Sequence, residues 1–239
     1  IDTIHNLYNK INSNLEVIMS KYTTGGYRVM NCPSYIDAID YSNVKGSLLF
    51  DMYQRVLDIV LSVIGLLIGI PLIVIFGILI KVEDSGPITY KQERLGKGGK
   101  KFYIYKLRSM RTDAEKFGAQ WAEKNDPRIT KVGKFIRKTR IDEIPQLFNI
   151  LKGDMSIIGP RPERPSFTEE FNQEIPGFIN RLAVKPGLTG WAQVNGGYEI
   201  TPREKLIEDI YYIKNRSILL DLKILFKTVK VVLTGDGAR

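Results

Sequence analysis

The chain of 239 residues has one cysteine, Cys32, and one histidine, His5. A single cysteine excludes an intrachain disulfide and gives no sign of an oxidising compartment. With its only histidine near the start, far from any dense polar cluster, acid–base or metal chemistry must rest on carboxylates, lysines and arginines. Acidic residues are in deficit, 26 against 35 lysines and arginines, for a formal charge of +9. That balance suits a polyanionic partner (nucleic acid, an anionic membrane surface or phosphorylated substrates) without choosing among them. Internal repeats and low-complexity tracts are missing. The chain opens on Ile1 rather than methionine, with no cleavable signal peptide ahead of it, which reads as a fragment or a processed chain.

Charge is also missing between Ile59 and Ile80, a run of about 22 residues, close to the ~20 that span a bilayer as helix. A soluble core helix rarely stays apolar on every face for so long. Pro71, near the middle, removes a backbone hydrogen bond and kinks or breaks a helix. Positive charge, which marks the cytoplasmic side, lies on both flanks: Lys45 and Arg55 before the run, Lys81, Lys91, Arg94, Lys97, Lys100 and Lys101 after it. A helix that enters, breaks at Pro71 and returns to the same face satisfies both observations. So does a Pro-kinked helix that spans.

The chain as a whole is 44% hydrophobic, enough for one sizeable core plus an accessory segment. Ile4, Leu7, Tyr8, Ile11, Leu15, Ile18 and Met19 recur at helical spacing and predict an amphipathic helix ended by Gly25 and Gly26, then a linker. The run Glu83-Asp84-Ser85-Gly86-Pro87 marks a turn. Strands are expected over Ile88 to Gln92 and around Phe102, Ile104 and Leu107, joined by a hairpin turn at Gly96 to Gly99, although the second strand's alternation is imperfect. Helices are expected over Asp113 to Glu123 and Lys131 to Lys138. Thr201, Pro202 and Glu204 form a capping box that starts a helix running to about Lys214. Over Ile218 to Leu233, Leu219, Leu222, Leu225, Phe226, Val229, Val232 and Leu233 share one side, and Lys223, Lys227 and Lys230 another. Such a helix either lies on a membrane surface or is a core helix with a solvated face.

The densest polar cluster runs from Asp126 to Arg164. Pro145 suits the first turn of a helix, which places the start of that helix at Asp142, with Glu143 beside it. Two carboxylates at the positive end of a helix dipole, with Arg137, Lys138 and Arg140 just upstream, are expected to be ionised. An ionised carboxylate there can act as a nucleophile or a magnesium ligand. An acidic first turn that merely caps its helix reads the same way. In Gly159-Pro160-Arg161-Pro162 two prolines restrict the backbone around one arginine, which suits bidentate phosphate binding. The alternative is a structural arginine paired with Asp154 or Glu163. The loop Lys185-Pro186-Gly187-Leu188-Thr189-Gly190-Trp191-Ala192-Gln193-Val194 offers a ring and amides to a base or sugar, or is a packed turn.

In this order, these blocks resemble the monotopic polyprenyl-phosphate phosphoglycosyl transferases, the bacterial sugar transferase family. The resemblance runs from about Met52 to the end. It rests on Arg55 with Asp58, Pro71, Gln92-Glu93-Arg94-Leu95-Gly96, Tyr105-Lys106-Leu107-Arg108-Ser109-Met110, Asp142-Glu143, Gly153-Asp154-Met155-Ser156 and the two loops above. It implies a re-entrant, Pro-broken membrane hairpin and a catalytic domain on the cytoplasmic face of the bacterial inner membrane. Asp142 would attack the β-phosphate of a UDP-sugar, expel UMP and pass the phosphosugar to undecaprenyl phosphate. Asp142 and Glu143 would hold Mg2+, and Arg161 would bind phosphate. Lys106, Arg108, Arg128 and Arg137, by charge and position, and Gln146, just behind the dyad, are placed in the same substrate pocket.

The expected fold is mixed α+β: a helix-rich catalytic domain around a small sheet (83–239), the membrane helix hairpin (47–82), and amphipathic interfacial helices. Residues 1–46 are read as an amphipathic helix and linker, either the end of a longer N-terminal region or a short anchor. Membrane lipid is a further expected partner and nucleic acid is not. A homo-oligomer and downstream glycosyltransferases are left open. A non-catalytic membrane scaffold would predict a lost dyad or phosphate arginine, yet Asp142, Glu143 and Arg161 are present. A nucleic-acid-binding protein would predict basic and aromatic residues interleaved in one patch, and none is evident.

Overall fold

A computed structural model of the chain describes residues 39–42, 44–116, 126–196 and 200–234. The expected amphipathic helix over the first twenty residues lies outside the described residues, as does most of the helix expected from Asp113; the residues from Thr112 to Lys116 form turns.

The uncharged run lies within one long helix, α1 (Leu48–Glu83), which Ser47 caps by accepting from the Phe50 N–H at 3.2 Å. No break into two helices occurs. The helix continues through Pro71, because packing holds both flanks of the missing hydrogen bond. Gly69 sits against Ile144 on one side, and Ile73 and Phe76 pack with Ile136 and Leu107 on the other. Asp58, Ser62, Leu66, Gly69, Gly77 and Ile80 form a buried stripe, with half-buried Ile73 between Gly69 and Gly77 completing the three- and four-residue spacing. The remaining faces are apolar and exposed, Leu67 at 71% and Ile68 at 67%. Among the described residues α1 is the one helix long and apolar enough to cross a membrane.

β1 (Thr89–Leu95) and β2 (Lys101–Leu107) form an antiparallel hairpin through the Lys97–Gly99 turn, where Gly98 and Gly99 adopt φ of 66° and 73°. Phe102 and Ile104 face inward, and the next inward position holds Lys106, which explains the imperfect alternation. Then come α2 (Lys131–Lys138), α3 (Gln146–Lys152), β3 (Ser156–Ile158), α4 (Pro165–Glu174), a 3-10 segment (Phe178–Ala183), β4 (Gly187–Thr189) and α5 (Trp191–Gly196). The chain ends with α6 (Pro202–Asn215) and α7 (Ile218–Thr234). Instead of one small sheet there are two separate pairs, the β1–β2 hairpin and the parallel β3–β4 pair. The capping box at Thr201 is fully formed, Thr201 N–H donating to Glu204 at 2.9 Å and Glu204 N–H to Thr201 Oγ1 at 3.3 Å.

The main core joins Leu66 of α1, Phe102 and Ile104 of β2, Leu147 and Ile150 of α3, Ile157 and Ile158 of β3, Tyr212 and Ile213 of α6, and Leu220 and Ile224 of α7. Polar contacts fasten both ends of α1 to this body. Arg55 donates to the carbonyls of Ile150 and Leu151, both at 2.7 Å, capping the C-terminus of α3. Buried Asp58 accepts from Ser156 Oγ at 2.8 Å and Ile157 N–H at 2.7 Å. At the other end the Glu83 carboxylate accepts from the first two N–H groups of α2, Lys131 at 2.7 Å and Val132 at 2.8 Å. α7 turns Leu220, Asp221 and Ile224 inward and leaves Leu219, Leu222, Phe226 and Val229 exposed. Its leucine-rich side is therefore not a core face.

Candidate active site

Asp142 and Glu143 do not open an α-helix. They occupy a single 3-10 turn, Ile141–Glu143, introduced by Arg140 in the left-handed region at φ 60°; α3 starts only at Gln146 with Pro145 as its N-cap. The turn is set by its packing. Ile144 and Leu147, just past the dyad, lie against Gly69 and Gly65 of α1, where an added Cβ would meet Ile144 Cγ2 at 2.5 Å and Leu147 Cδ1 at 2.8 Å. The dyad is thus seated against the uncharged stretch of α1.

Both carboxylates are buried, 6% and 8% exposed, yet their surroundings differ. Glu143 Oε1 accepts from Lys106 Nζ at 2.8 Å and from Arg161 Nη2. Burial alone would raise the Glu143 pKa, but the Arg161 guanidinium and the Lys106 ammonium outweigh it and hold the carboxyl well below the usual range. Among the described residues nothing donates a hydrogen bond to the Asp142 carboxylate. Burial pushes it up to about 6, opposed by the charge of Lys106 and aided by that of Glu143. The sequence led to an expectation of ionisation favoured on both; for Asp142, desolvation overrides the flanking arginines. Burial likewise pulls Lys106 down, with Glu143 opposing.

Of the residues assigned to the substrate pocket, the structure gathers Lys106 and Arg161 on Glu143 and brings Arg137 within electrostatic reach of Asp142. Arg161 pairs with neither Asp154 nor Glu163. Arg108 is put to another use. It is buried, and its guanidinium donates to the Asp84 and Ser85 carbonyls and pairs with the Asp84 carboxylate at 3.7 Å, closing the turn after α1. Arg128 is engaged with Asp126, in a two-pronged contact at 2.9 and 2.6 Å, and with the Ala114 carbonyl at 3.1 Å. Both basic side chains hold loops, and composition alone does not separate such arginines from phosphate ligands. Gln146 is 1% exposed, with its amide nitrogen buried and without a hydrogen-bond partner. Trp191 is stacked on Tyr211 at 5.5 Å, and Lys223 and Lys227 lie over its ring at 5.2 and 4.9 Å. The loop that carries it is the packed turn, not a free ring for a base.

The Arg161 loop and the strand of Gly187 meet backbone to backbone: Ser156 N–H donates to Pro186 O at 2.8 Å, Gly159 N–H to Thr189 O at 2.9 Å and Gly187 N–H to Pro160 O at 2.9 Å. A Cβ on Gly159, Gly187 or Gly190 would collide with main-chain atoms of the facing segment. Those glycines allow the loop that carries Arg161 to be braced by the other loop. The anchoring by Arg55 and Asp58 was visible as a motif without a role, whereas nothing local marked Glu83 as the cap of α2.

A family model described as bacterial sugar transferase matches residues 49–235. An Aeromonas hydrophila protein named UDP-N-acetylgalactosamine-undecaprenyl-phosphate N-acetylgalactosaminephosphotransferase is 49% identical over 206 residues, 83% of this chain and 49% of that one. A Bacillus subtilis (strain 168) protein, provisionally named undecaprenyl-phosphate N-acetylgalactosaminyl 1-phosphate transferase, is 66% identical over 129 residues, 54% of this chain and 72% of that one. The Escherichia coli (strain K12) UDP-glucose:undecaprenyl-phosphate glucose-1-phosphate transferase is 42% identical over 183 residues, 74% of this chain and 39% of that one. The chain thus spans half or less of the Aeromonas and Escherichia relatives. With the match covering α1 and every element after it, the chain belongs to the bacterial sugar transferase family.

Proposed function

We propose that this protein transfers a sugar 1-phosphate from a UDP-sugar to undecaprenyl phosphate at the cytoplasmic face of a bacterial inner membrane. The observation that carries the reading is the division of labour within the dyad. Glu143 is tied by two cations and held ionised, while Asp142 accepts no hydrogen bond among the described residues, is buried and is raised to about 6. Adjacent carboxyls driven apart by their surroundings are the pattern of two distinct chemical roles. At pH 7 Asp142 is still mostly ionised, and as an unbonded carboxylate it is free to attack.

In the proposed reaction an Asp142 carboxylate oxygen bonds to the β-phosphorus of the donor, the bond from that phosphorus to the bridging oxygen breaks, and UMP leaves. A phosphate oxygen of the lipid acceptor then attacks the same phosphorus. The aspartyl bond breaks, restoring the carboxylate and giving a polyprenyl diphosphate sugar. Splitting the transfer into two displacements spares the enzyme from bringing two bulky phosphates together at once. Arg161, Lys106 and Arg137 supply positive charge for the donor diphosphate.

The residues also fit magnesium of the sparsely liganded kind, which keeps several waters and takes one or two carboxylates plus substrate phosphates. Asp142 and Glu143 would hold it; among the described residues no cluster of three or more His, Cys, Asp or Glu offers a fuller cage. When bound, the ion would neutralise diphosphate charge.

For the membrane, we read α1 as one continuous helix bent at Pro71, so that it enters and leaves the same face. A straight helix of its 36 residues would be ~54 Å long, well beyond the ~30 Å of a bilayer core. Both its ends are nevertheless hydrogen-bonded to one folded body. The exposed apolar faces of α1 and α7 would then sit in lipid. N-acetylgalactosamine in the names of the 49% and 66% identical relatives makes UDP-N-acetylgalactosamine the proposed donor.

The test is UMP release by the full chain with magnesium, undecaprenyl phosphate and a panel of UDP-sugars, beside an Asp142→Asn control. UMP from UDP-N-acetylgalactosamine, abolished by the substitution, is expected. A folded protein releasing no UMP from any donor would point instead to a non-catalytic scaffold.

A further inference from the structure

Pro160 and Pro162 leave the Arg161 loop with few N–H groups, so its attachment to the rest of the molecule runs through carbonyls. Four consecutive carbonyl oxygens are each held by a different donor. Pro160 O accepts from Gly187 N–H at 2.9 Å, Arg161 O from Arg181 Nη2 at 2.9 Å, Pro162 O from Arg94 Nη1 at 3.2 Å and Glu163 O from Leu95 N–H at 3.1 Å. Arg181 is the donor that meets the peptide of Arg161 itself.

Arg181 is itself immobilised. It is 4% exposed, its Nε donates to Asp209 Oδ2 at 2.6 Å, and its guanidinium lies 4.7 Å from the centre of the Phe178 ring. Asp209, on α6, is 1% exposed. A buried ion pair of this kind is a poor source of stability compared with well-packed apolar residues. A planar guanidinium can, however, grip a carboxylate with one edge and a carbonyl with another, which a lysine ammonium cannot reproduce. The Asp209–Arg181 pair thus runs from α6 to the main chain of the residue whose side chain reaches Glu143.

We propose that Arg181, fixed by Asp209, is a positioning residue for Arg161. It sets where the phosphate-binding guanidinium stands relative to the dyad and does not touch substrate. This rests on the reading of Arg161 as the phosphate arginine. Because Arg181 acts only through Arg161, its substitution costs activity only while Arg161 is present.

The experiment is a double-mutant cycle in the full chain: wild type, Arg181→Lys, Arg161→Lys and the double variant. It reads UMP release from UDP-N-acetylgalactosamine and, by calorimetry, UMP affinity; thermal unfolding checks that each variant is folded. Arg181→Lys is expected to lower kcat/KM about 10- to 100-fold, the scale of an ångström-level misplacement, and to weaken UMP. In the Arg161→Lys background the same change is expected to have little further effect. Equal losses from Arg181→Lys in both backgrounds, or wild-type activity in Arg181→Lys, would overturn the proposal. Should Arg181→Lys fail to fold, Asp209→Asn takes its place in the cycle, with coupled losses supporting the proposal and independent ones overturning it. A wild-type protein that releases no UMP would instead reject the reading of the site on which the proposal stands.

Discussion

Replacing Gly69 by alanine should damage catalysis far more than stability. The new Cβ would stand 2.5 Å from Ile144 Cγ2, where carbon atoms ordinarily rest about 3.5–4.0 Å apart. That methyl is on a β-branched side chain one residue past the dyad's Glu143, so it cannot swing clear. The α1 helix and the dyad turn must separate by roughly 1 Å. Overpacking of this kind costs about 1–3 kcal/mol, while alanine in place of glycine within a helix returns about 1 kcal/mol. The net loss of stability is therefore about 0–2 kcal/mol, small beside the rate effect of a ~1 Å misplacement, which reaches ~100-fold. Single-turnover UMP formation and thermal unfolding in the same detergent measure the two effects. Gly65→Ala is the internal control, because its Cβ meets the far end of the flexible Leu147 side chain at 2.8 Å and should be tolerated. Ile144→Ala in the Gly69→Ala background should recover much of the lost rate. Wild-type turnover in a folded Gly69→Ala protein would refute the idea that α1 sets the dyad's position.

Other consequences are equally open to measurement. Because burial raises Asp142 to about 6 before any metal binds, the ionised form of the proposed nucleophile is lost as pH falls through that value. UMP formation without lipid acceptor should therefore fall with pH along an acid limb that saturating magnesium, held by Asp142 and Glu143 in the proposed site, moves below about 6, and a limb unmoved by magnesium would contradict the assignment. Lys106→Met removes the charge that opposes this rise, so the acid limb should move to higher pH, with Glu143 still held by Arg161. Asp58→Ala strips an acceptor from Ser156 and the Ile157 N–H and, at about 1.5–3 kcal/mol for each bond to a charged group, should lower the unfolding temperature clearly; an unchanged transition would show the anchor to be dispensable. Chelation of divalent ions should stop UMP release, and added magnesium should restore it.

Features carried by a few adjacent residues were legible in the chain. The capping box at Thr201, the hairpin turn at Gly98 and the span of α2 follow from local rules and occur as expected. The dyad's position in the chain was legible too, but its environment was not. Pro145 signalled a helix start, yet the α-helix begins one residue beyond it and the acids sit on the preceding turn. The rise of Asp142 comes from burial among side chains remote in sequence, and flanking charges do not report that. Arg108 and Arg128 show the same limit, since an arginine that closes a loop and one that binds phosphate look alike until their partners are known. Strands of three residues such as β3 and β4 are too short for any alternation to announce them.

The attachments at Arg55, Asp58 and Glu83 bear on how the enzyme meets lipids of different thickness. A lone membrane helix adapts to a thinner or thicker bilayer by tilting. Here tilting the helix means tilting the whole body to which both its ends are bonded, the turn bearing Asp142 included. A change of lipid would raise, lower or rock the protein as one rigid float. On the proposed reaction, the distances between the dyad and its cations would hold while their depth below the headgroups shifts, so that lipid composition would select which acceptor phosphates come within reach and leave the chemistry done on them unaltered.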